Sequence, residues 1–302
     1  MGETSIYMSR PAPDHSKISV TAKLVAYYRQ FSDIPFAKDV ARYTGAEKAF
    51  QDFIRADGLN PDDLIEYAPI LEARYKSIVS LILKSGIGQV LELASGFSLR
   101  GLAMTRDPAI AYVESDLREL TAEKTRLIGE IRSQYRLEND GNHHIAVANA
   151  LHPDELSAAV RPLTPGRKLV IVNEGLIQYF SVSERETLAG NVRGLLSEFG
   201  GGIWITPDFM TKADALNISP ERKRFRQALT GVTERSFYDS AFDTDEQMEE
   251  FFKEFGFESS LHNQAEEALY LSSVPALGLP PDIMERTGAR FKIWVLTGAQ
   301  DR

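Results

Sequence analysis

From residue 89 onward, short apolar runs alternate with amphipathic stretches of helical periodicity. The apolar runs lie at residues 89–93, 110–113, 144–148, 168–172 and 202–206, and amphipathic stretches lie at residues 117–132 and 183–199. This alternation predicts a parallel β-sheet covered by helices on both faces. The run from Leu169 to Val172 is apolar at every position, which is typical of a central parallel strand.

The chain before residue 89 has the pattern of helices alone. Apolar residues recur every three or four positions between Leu64 and Ile82, and Gly86 follows the end of that pattern. We predict an N-terminal helical cap over residues 1–85 and a Rossmann-like α/β domain over residues 86–302, the two forming one structural unit. Within the second region we predict an insertion over residues 208–240, above the carboxyl edge of the sheet. A helix at residues 245–255 and strands at residues 257–262 and 291–297 are expected to complete the fold.

Composition excludes several classes of site. The chain has no cysteine, so disulfides, thiolate metal sites and a cysteine nucleophile are excluded. Its formal net charge is -9, from 43 acidic and 34 basic residues, which argues against a nucleic-acid partner. We interpret the short basic stretch at residues 221–226 as a solvated helix face. The sequence shows neither a signal peptide nor an apolar span of ~20 residues, so we expect a cytoplasmic protein with no membrane contact.

Ligands of an open α/β sheet bind beyond the carboxyl ends of its strands, and the first such position is the turn after residue 93. Gly96 allows close approach of the backbone to a ligand, and Glu92 and Ala94 flank the same turn. Ala94 and Ser98 stand where nucleotide-binding turns usually carry glycine, and the pattern G-x-G-x-x-G is absent. An ordinary strand-to-helix turn is an equally good interpretation of this segment alone.

Acidic residues follow the second predicted strand. Glu114 and Asp116 are candidates to accept the hydroxyl groups of a ribose, because Asp116 comes 20 residues after Gly96. The alternative is that one of these carboxylates caps the next helix, where aspartate is favoured.

Two further groups follow the third and central strands. After the third strand, the Asn149 side chain and the backbone at Ala150 are suited to contact an adenine edge. After the central strand, Glu174 precedes Gly175. Because an unpaired buried charge is costly, packing explains Glu174 poorly and a functional role is favoured.

These segments together resemble the leucine carboxyl methyltransferase-like family, and within it the bacterial O-methyltransferases of polyketide biosynthesis. The matching segments are residues 19–22 (SVTA), 36–41 (FAKDVA), 90–101 (VLELASGFSLRG), 114–117 (ESDL), 149–151 (NAL), 174–179 (EGLIQY) and 294–297 (WVLT). The resemblance extends from about Ser19 to Thr297, and its most specific element is Glu-Gly-Leu-x-x-Tyr. It implies a class I methyltransferase fold, α/β and Rossmann-like, with a mostly parallel sheet and an antiparallel last strand.

The resemblance also implies S-adenosylmethionine as cofactor. Gly96 would pass under the methionine part, Asp116 would hold the ribose, Asn149 and Ala150 would flank the adenine, and Glu174 would face the amino-acid end or the sulfonium. A basic residue of the N-terminal helices binds the cofactor carboxylate in this family, and Arg74, or less favourably Lys17, fits that place. The predicted cofactor-binding residues are therefore Lys17, Arg74, Glu92, Ala94, Gly96, Glu114, Asp116, Asn149, Ala150 and Glu174. Ala94 and Asn149 depart from the more usual glycine and aspartate.

The candidate catalytic residues are Glu174, Tyr179 and His152. Tyr179 is placed either to donate a hydrogen bond to the substrate or to pack beneath the cofactor. His152 is the best-placed base, although Pro153 beside it equally indicates a helix start. His143 and His144 open the third strand, away from the ligand edge, and are expected to be structural. No metal site is predicted.

The resulting hypothesis is an O-methyltransferase acting on a carboxylate or hydroxyl group of a small molecule. The alternatives are a protein carboxyl methyltransferase and a non-catalytic cofactor-binding protein, and a monomer or a homodimer is expected. A nicotinamide-dependent oxidoreductase is disfavoured, because the turn lacks the needed glycines. Aromatic and apolar residues of the insertion either line an acceptor pocket or pack the insertion onto the sheet: Phe209, Met210, Phe225, Phe237 and Tyr238.

Overall fold

A computed structural model describes residues 15–138, 141–233, 241–287 and 291–298, with the side chains of residues 15–19 and 232–233 not included. Within these ranges seven strands form one sheet in the order β3-β2-β1-β4-β5-β7-β6. The strands are β1 (Gln89–Leu93), β2 (Ala111–Asp116), β3 (His143–Val147), β4 (Leu169–Asn173), β5 (Gly202–Thr206), β6 (Phe257–Asn263) and β7 (Lys292–Gly298).

Helices cover both faces of the sheet and form the N-terminal region. Those of the described residues before the sheet and within its first half are α1 (His15–Arg29), α2 (Ala37–Thr44), α3 (Ala46–Ala56), α4 (Tyr67–Ser85), α5 (Arg100–Met104), α6 (Arg118–Tyr135) and α7 (Pro153–Ala159). The later ones are α8 (Val182–Glu198), α9 (Lys212–Leu216), α10 (Pro220–Thr233), α11 (Asp245–Glu254), α12 (Gln264–Ala268), α13 (Ser273–Ala276) and α14 (Ile283–Arg286). Short 3-10 helices lie at Pro61–Leu64 and Ile177–Tyr179.

The strand pairing confirms the predicted fold class. Strands β1 to β5 are mutually parallel, and β7 runs antiparallel to both β5 and β6. The chain order reverses at β1, which pairs with β2 on one side and β4 on the other. The carboxyl ends of these two pairs therefore meet at the switch point where α/β sheets bind ligands.

Most predicted strand limits differ from the structure by one residue, and the end of β2 differs by three. The second strand extends to Asp116, which lies opposite Val147 of β3. The third strand begins at His143 rather than His144, because His143 is in register with Tyr112 of β2. Neighbouring strands thus extend the regular structure by one to three residues beyond the apolar runs.

The described part of the predicted insertion forms α9 and α10, and its aromatic residues pack against the rest of the protein. Phe209 is buried and contacts the rings of Trp204 and Phe252. Phe225 is buried between Phe53 and Tyr67 of the N-terminal region. These contacts favour the packing interpretation for both residues, whereas Phe237 and Tyr238 lie outside the described residues.

One residue of the basic stretch departs from the expected solvated helix face. Lys223 and Arg224 are exposed as predicted, but Arg222 is buried, with 3% of its surface exposed. It lies over the ring of Tyr67. Its burial follows from the packing of α10 against α1 and the 3-10 helix at Pro61–Leu64, which sequence periodicity does not reveal.

The described residues contain neither a candidate membrane-spanning helix nor a candidate metal site. No helix in them has both the length and the apolar character that a membrane crossing requires. No group of three or more histidine, aspartate or glutamate side chains in them is arranged to hold a metal ion.

Candidate cofactor site

The turn after β1 is held in a left-handed conformation. Ala94 has φ 49° and Gly96 has φ 52°. This region suits glycine, and for an L-residue such as Ala94 it costs about 1–2 kcal/mol. The turn is fixed by the backbone of Ser95, whose amide donates to the carbonyl of Ser115 at 3.0 Å. The structure thus places a strained turn where the sequence predicts the ligand.

Asp116 joins this turn to the end of β2. Its Oδ2 accepts from the amide of Gly96 at 2.7 Å, and its Oδ1 accepts from the amide of Leu117 at 2.7 Å. Gly96 and Asp116, which the sequence spacing connects, are therefore in direct contact. One carboxylate both holds the turn and binds the amide that precedes α6, while its contact with a ribose stays a prediction.

Glu174, directly after β4, is the centre of a buried cluster of charges. It forms ion pairs with Arg29, at the end of α1, and with Arg100, at the start of α5, the latter at 2.7 Å. Arg100 is fully buried and also pairs with Glu92. The ring of Tyr75 lies 5.2 Å and 4.6 Å from the guanidinium carbons of Arg29 and Arg100. The cluster thus connects the N-terminal helices to three segments of the sheet edge.

The pKa values of the two carboxylates of this cluster, Glu174 and Glu92, are shifted in opposite directions. Burial would raise the pKa of Glu174, but Arg29, Arg100 and Arg74 lower it overall. Burial raises the pKa of Glu92, and the single adjacent guanidinium of Arg100 offsets this only in part. Glu174 is therefore ionised at neutral pH, and its charge is held by guanidinium groups on several sides.

Arg74 is the third guanidinium near Glu174. It lies on α4, acts electrostatically on Glu174 and Arg29, and forms no ion pair with the described residues. Its Nε is buried without a hydrogen-bond partner there. Among the described residues, Arg29 and Arg100 pair with the carboxylates of Glu174 and Glu92. With Arg74 included, the three guanidinium groups therefore carry one more charge than the two carboxylates. The side chain of the weaker candidate, Lys17, lies outside the described residues.

Asp208 fixes the loop that carries Glu174. Its carboxylate accepts from the amides of Gly175 at 2.8 Å, Leu176 at 2.7 Å and Ile177 at 3.2 Å, and from the Asn173 side chain at 2.7 Å. It is 4% exposed. A single buried carboxylate therefore satisfies four donors of this loop and sets its conformation.

Glu114 lies beneath the turn rather than on its surface. It is fully buried, accepts from the Gly101 amide at 2.9 Å and from His143 at 3.1 Å, and forms an ion pair with Lys124 at 3.1 Å. Lys124 also donates to the Ser95 hydroxyl at 2.8 Å. Glu114 therefore supports the turn through Lys124, and His143 has the structural place expected for it.

The charge of Glu114 gives a testable pH dependence. Burial alone would raise its pKa, but Lys124 and His143 lower the pKa from 4.5 to about 2. Because the pKa is lower in the folded protein, this stabilisation is complete above pH 4.5 and is lost as the pH falls towards 2. Urea unfolding from pH 6 to pH 2.5 should show a steeper loss of stability in the wild type than in Glu114→Gln. Parallel curves for the two proteins would contradict this role.

The remaining predicted residues lie in two further places. The Asn149 side chain accepts from the Leu151 amide at 3.0 Å, and Ala150 is buried beside it. His152 is 59% exposed and pairs with Glu155 at 2.7 Å. Tyr179 is half-buried near Arg74, and desolvation raises its pKa against the opposing effect of a hydrogen bond with Thr21. The catalytic roles of His152 and Tyr179 stay predictions.

Several residues of this site were not identified from the sequence. Arg29 and Glu174 are 145 positions apart, so no local pattern connects them. Arg100 lies in the segment 90–101 that carries the family resemblance, but its side chain was not singled out. Asp208 follows β5 by two residues, so the rule that polar residues after strands are candidates applies to it and could have found it.

Comparisons with known proteins agree with the geometry at the level of the fold. No protein-family model matches the chain, and no curated protein matches it. A Thermobifida fusca protein assigned as a methyltransferase superposes with a TM-score of 0.52 at 15% identity, over 91% of this chain and 94% of that chain. The chain has the fold of a class I methyltransferase.

Two other solved structures are similar at lower scores. A Nostoc punctiforme protein assigned as an O-methyltransferase has a TM-score of 0.47 at 14% identity, over 93% of this chain and 68% of that chain. Human N-acetylserotonin methyltransferase, solved in complex with S-adenosylmethionine, has a TM-score of 0.47 at 10% identity, over 87% of this chain and 70% of that chain.

Proposed function

We propose that this protein is an S-adenosylmethionine-dependent methyltransferase of the leucine carboxyl methyltransferase-like kind, acting on an oxygen of a small molecule. The observation that carries the proposal is the convergence of Arg29, Arg74 and Arg100 on Glu174 at the end of β4. The cluster has one positive charge in excess, beside a glycine turn at the switch point of a methyltransferase fold. A ligand with an amino group and a carboxylate matches both signs of charge.

In this proposal each part of the cofactor has a partner among the predicted residues and the arginines of the cluster. Arg74 would bind the carboxylate with donors that no described carboxylate uses, and Glu174 would face the amino group. The backbone at Gly96 would pass beneath the methionine part, since a Cβ added there would meet only Ala22 Cβ, at 3.9 Å. Asp116 would take the ribose, and Asn149 with Ala150 would border the adenine.

The chemistry needs orientation more than acid–base assistance. Bound S-adenosylmethionine would supply a methyl group with its own leaving group. The protein would hold the acceptor oxygen in line at about 3 Å, which is how positioning lowers such barriers. Glu174 is ionised and paired with two arginines, so we assign it to cofactor binding rather than to proton transfer. A carboxylate acceptor requires no base, which agrees with the exposed position of His152.

Arg74→Gln should weaken S-adenosylhomocysteine binding by about 10- to 100-fold, because a charge-assisted hydrogen bond is worth about 1.5–3 kcal/mol. Isothermal titration calorimetry of the purified proteins measures this change. Arg55→Gln is the matched control, because Arg55 is a helical arginine whose side chain is 78% exposed. Equal affinity in Arg74→Gln and wild type would contradict the assignment of Arg74.

The activity itself is tested with labelled S-adenosylmethionine and a panel of small carboxylic acids and phenols. Transfer of label to any of them supports the proposal. Binding of S-adenosylhomocysteine with no transfer to any acceptor favours the non-catalytic alternative. Failure of the wild type to bind S-adenosylhomocysteine would overturn the proposed function altogether.

A further inference from the structure

Buried polar atoms without hydrogen-bond partners concentrate in two places among the described residues. One is the cofactor site, where the Nε atoms of Arg29, Arg74 and Arg100 have none. The other lies between α1, α4 and α10, where the hydroxyls of Tyr28 and Tyr67 and two nitrogens of Arg222 have none of normal geometry. Buried polar groups in proteins are almost always hydrogen-bonded, so the second concentration requires an explanation of its own. We call these three residues the Arg222 cluster.

Arg222 is the charged member of the cluster. It is 3% exposed, and both its Nε and its Nη1 lack partners of normal hydrogen-bond geometry. Its guanidinium carbon lies 5.4 Å from the centre of the Tyr67 ring. The carboxylate of Glu66 approaches Nε only to 3.8 Å, beyond hydrogen-bonding distance. Within the cluster Arg222 acts on the Tyr67 hydroxyl through its charge and a hydrogen bond, and its Nε and Nη1 have no other partner within hydrogen-bonding distance.

The tyrosines supply two more donors beside it. The Tyr28 and Tyr67 rings are 5.5 Å apart, and Tyr28 is 1% exposed. Phe225 packs against both rings, at 6.4 Å from Tyr28 and 4.7 Å from Tyr67. Burial raises the pKa of both hydroxyls, and at Tyr67 this outweighs the opposing effects of Arg222 and Arg226, so each hydroxyl is neutral and keeps an O–H to donate. The cluster therefore combines one cation and two hydroxyl donors within aromatic walls.

We propose that the Arg222 cluster binds a carboxylate of the methyl acceptor, with the rings of Tyr28 and Tyr67 contacting an apolar body of that molecule. The identification of the ligand as the methyl acceptor rests on the proposed function. The anion site itself rests on the Arg222 cluster alone. Guanidinium and hydroxyl donors together match the acceptor atoms of a carboxylate. A bound anion would also supply hydrogen-bond acceptors to Arg222, which Glu66 does not do at its distance of 3.8 Å.

The position of the cluster makes this carboxylate an anchor and not the methylated oxygen. Tyr67 and Arg74 are seven residues apart on α4, so they share a face of the helix and lie about 10 Å apart along it. Arg74 is the proposed partner of the cofactor carboxylate. An acceptor that spans this separation would place its carboxylate at Arg222 and present a different oxygen to the methyl group.

The competing explanation is a purely structural ion pair between Arg222 and Glu66. The two explanations predict opposite effects of Glu66. In the proposed site, Glu66 competes with the bound anion for Arg222, so its removal leaves anion binding unchanged or tightens it. In a purely structural pair, removal of either partner disturbs the same packing, so Arg222→Gln and Glu66→Gln should weaken benzoate binding equally.

The test uses the full-length protein and the probe pair benzoate and benzamide, which differ in the charged group but share the ring. Binding is measured by isothermal titration calorimetry or ligand-observed NMR. We expect benzoate to bind more tightly than benzamide, Arg222→Gln to weaken benzoate at least 10-fold, and Glu66→Gln to retain or improve it. Phenyl phosphate binding more tightly than benzoate would overturn the carboxylate assignment in favour of a phosphate.

Two controls separate this test from the test of the cofactor site. S-adenosylhomocysteine affinity should be the same in Arg222→Gln and the wild type, which also shows that the variant is folded. Failure of S-adenosylhomocysteine to bind the wild type would remove the proposed function and leave the anion result standing. Equal binding of benzoate and benzamide, no binding of benzoate, or equal losses in Arg222→Gln and Glu66→Gln would overturn the inference.

Discussion

Arg100→Leu is expected to lower the free energy of unfolding by about 3–5 kcal/mol, the range observed when one partner of a buried ion pair is removed. Arg100 is fully buried and is paired with both Glu92 and Glu174. Without Arg100, Tyr112 is the remaining side chain that donates a hydrogen bond to the Glu92 carboxylate. Urea unfolding followed by circular dichroism at pH 7 measures the change.

A double variant makes this result specific to the charges. Arg100→Leu combined with Glu92→Leu removes the stranded carboxylate and should recover part of the lost stability. Arg55→Leu, at an exposed helical position, should leave the unfolding midpoint unchanged. A midpoint for Arg100→Leu equal to that of the wild type would show that the buried pairs contribute no stability.

Asp208→Ala is the second substitution with a large expected effect, a loss of about 3 kcal/mol or more. It leaves four donors without their acceptor: the Asn173 side chain and the amides of the loop that follows Glu174. Each buried donor left unpaired costs about 1–3 kcal/mol. Because the same loop carries Glu174, S-adenosylhomocysteine affinity should fall together with the melting temperature.

The control for this substitution is Asp243→Ala. Asp243 is 58% exposed and pairs with Lys212, so Asp243→Ala should change neither property. Asp208→Asn keeps the size of the side chain and one acceptor oxygen, and it should fall between Asp208→Ala and the wild type. A normal melting temperature with normal affinity in Asp208→Ala would show that the loop keeps its conformation without this carboxylate.

The sequence predicted the fold well because each strand has a local signature. The predicted limits of β1 and β5 coincide with the structure, since a glycine precedes each run. The end of β2 at Asp116 was missed because Ser115 and Asp116 are polar. They are strand residues only because β3 pairs with them, and that partner is remote in sequence.

The site was predictable where its residues follow strands and unpredictable where they come from elsewhere. Gly96, Asp116 and Glu174 were predicted from their positions after strands alone, and their roles stay predictions. Arg29 was not, because an arginine near the end of a helix ordinarily projects into solvent, and its partner is known only from the tertiary structure. The same reasoning explains Arg222, which resembles a surface residue in the sequence and is buried by the packing of α10.

The hydrogen bond between Trp204 and Asn173 gives this protein an internal optical signal. The chain has two tryptophans, Trp204 and Trp294, and both are buried on the antiparallel side of the sheet. Trp204 donates its indole N–H to Asn173 at 2.6 Å, directly before Glu174. In a Trp294→Phe background the emission of one indole would follow the loop that carries Glu174, so ligand binding there becomes observable by fluorescence without an added dye.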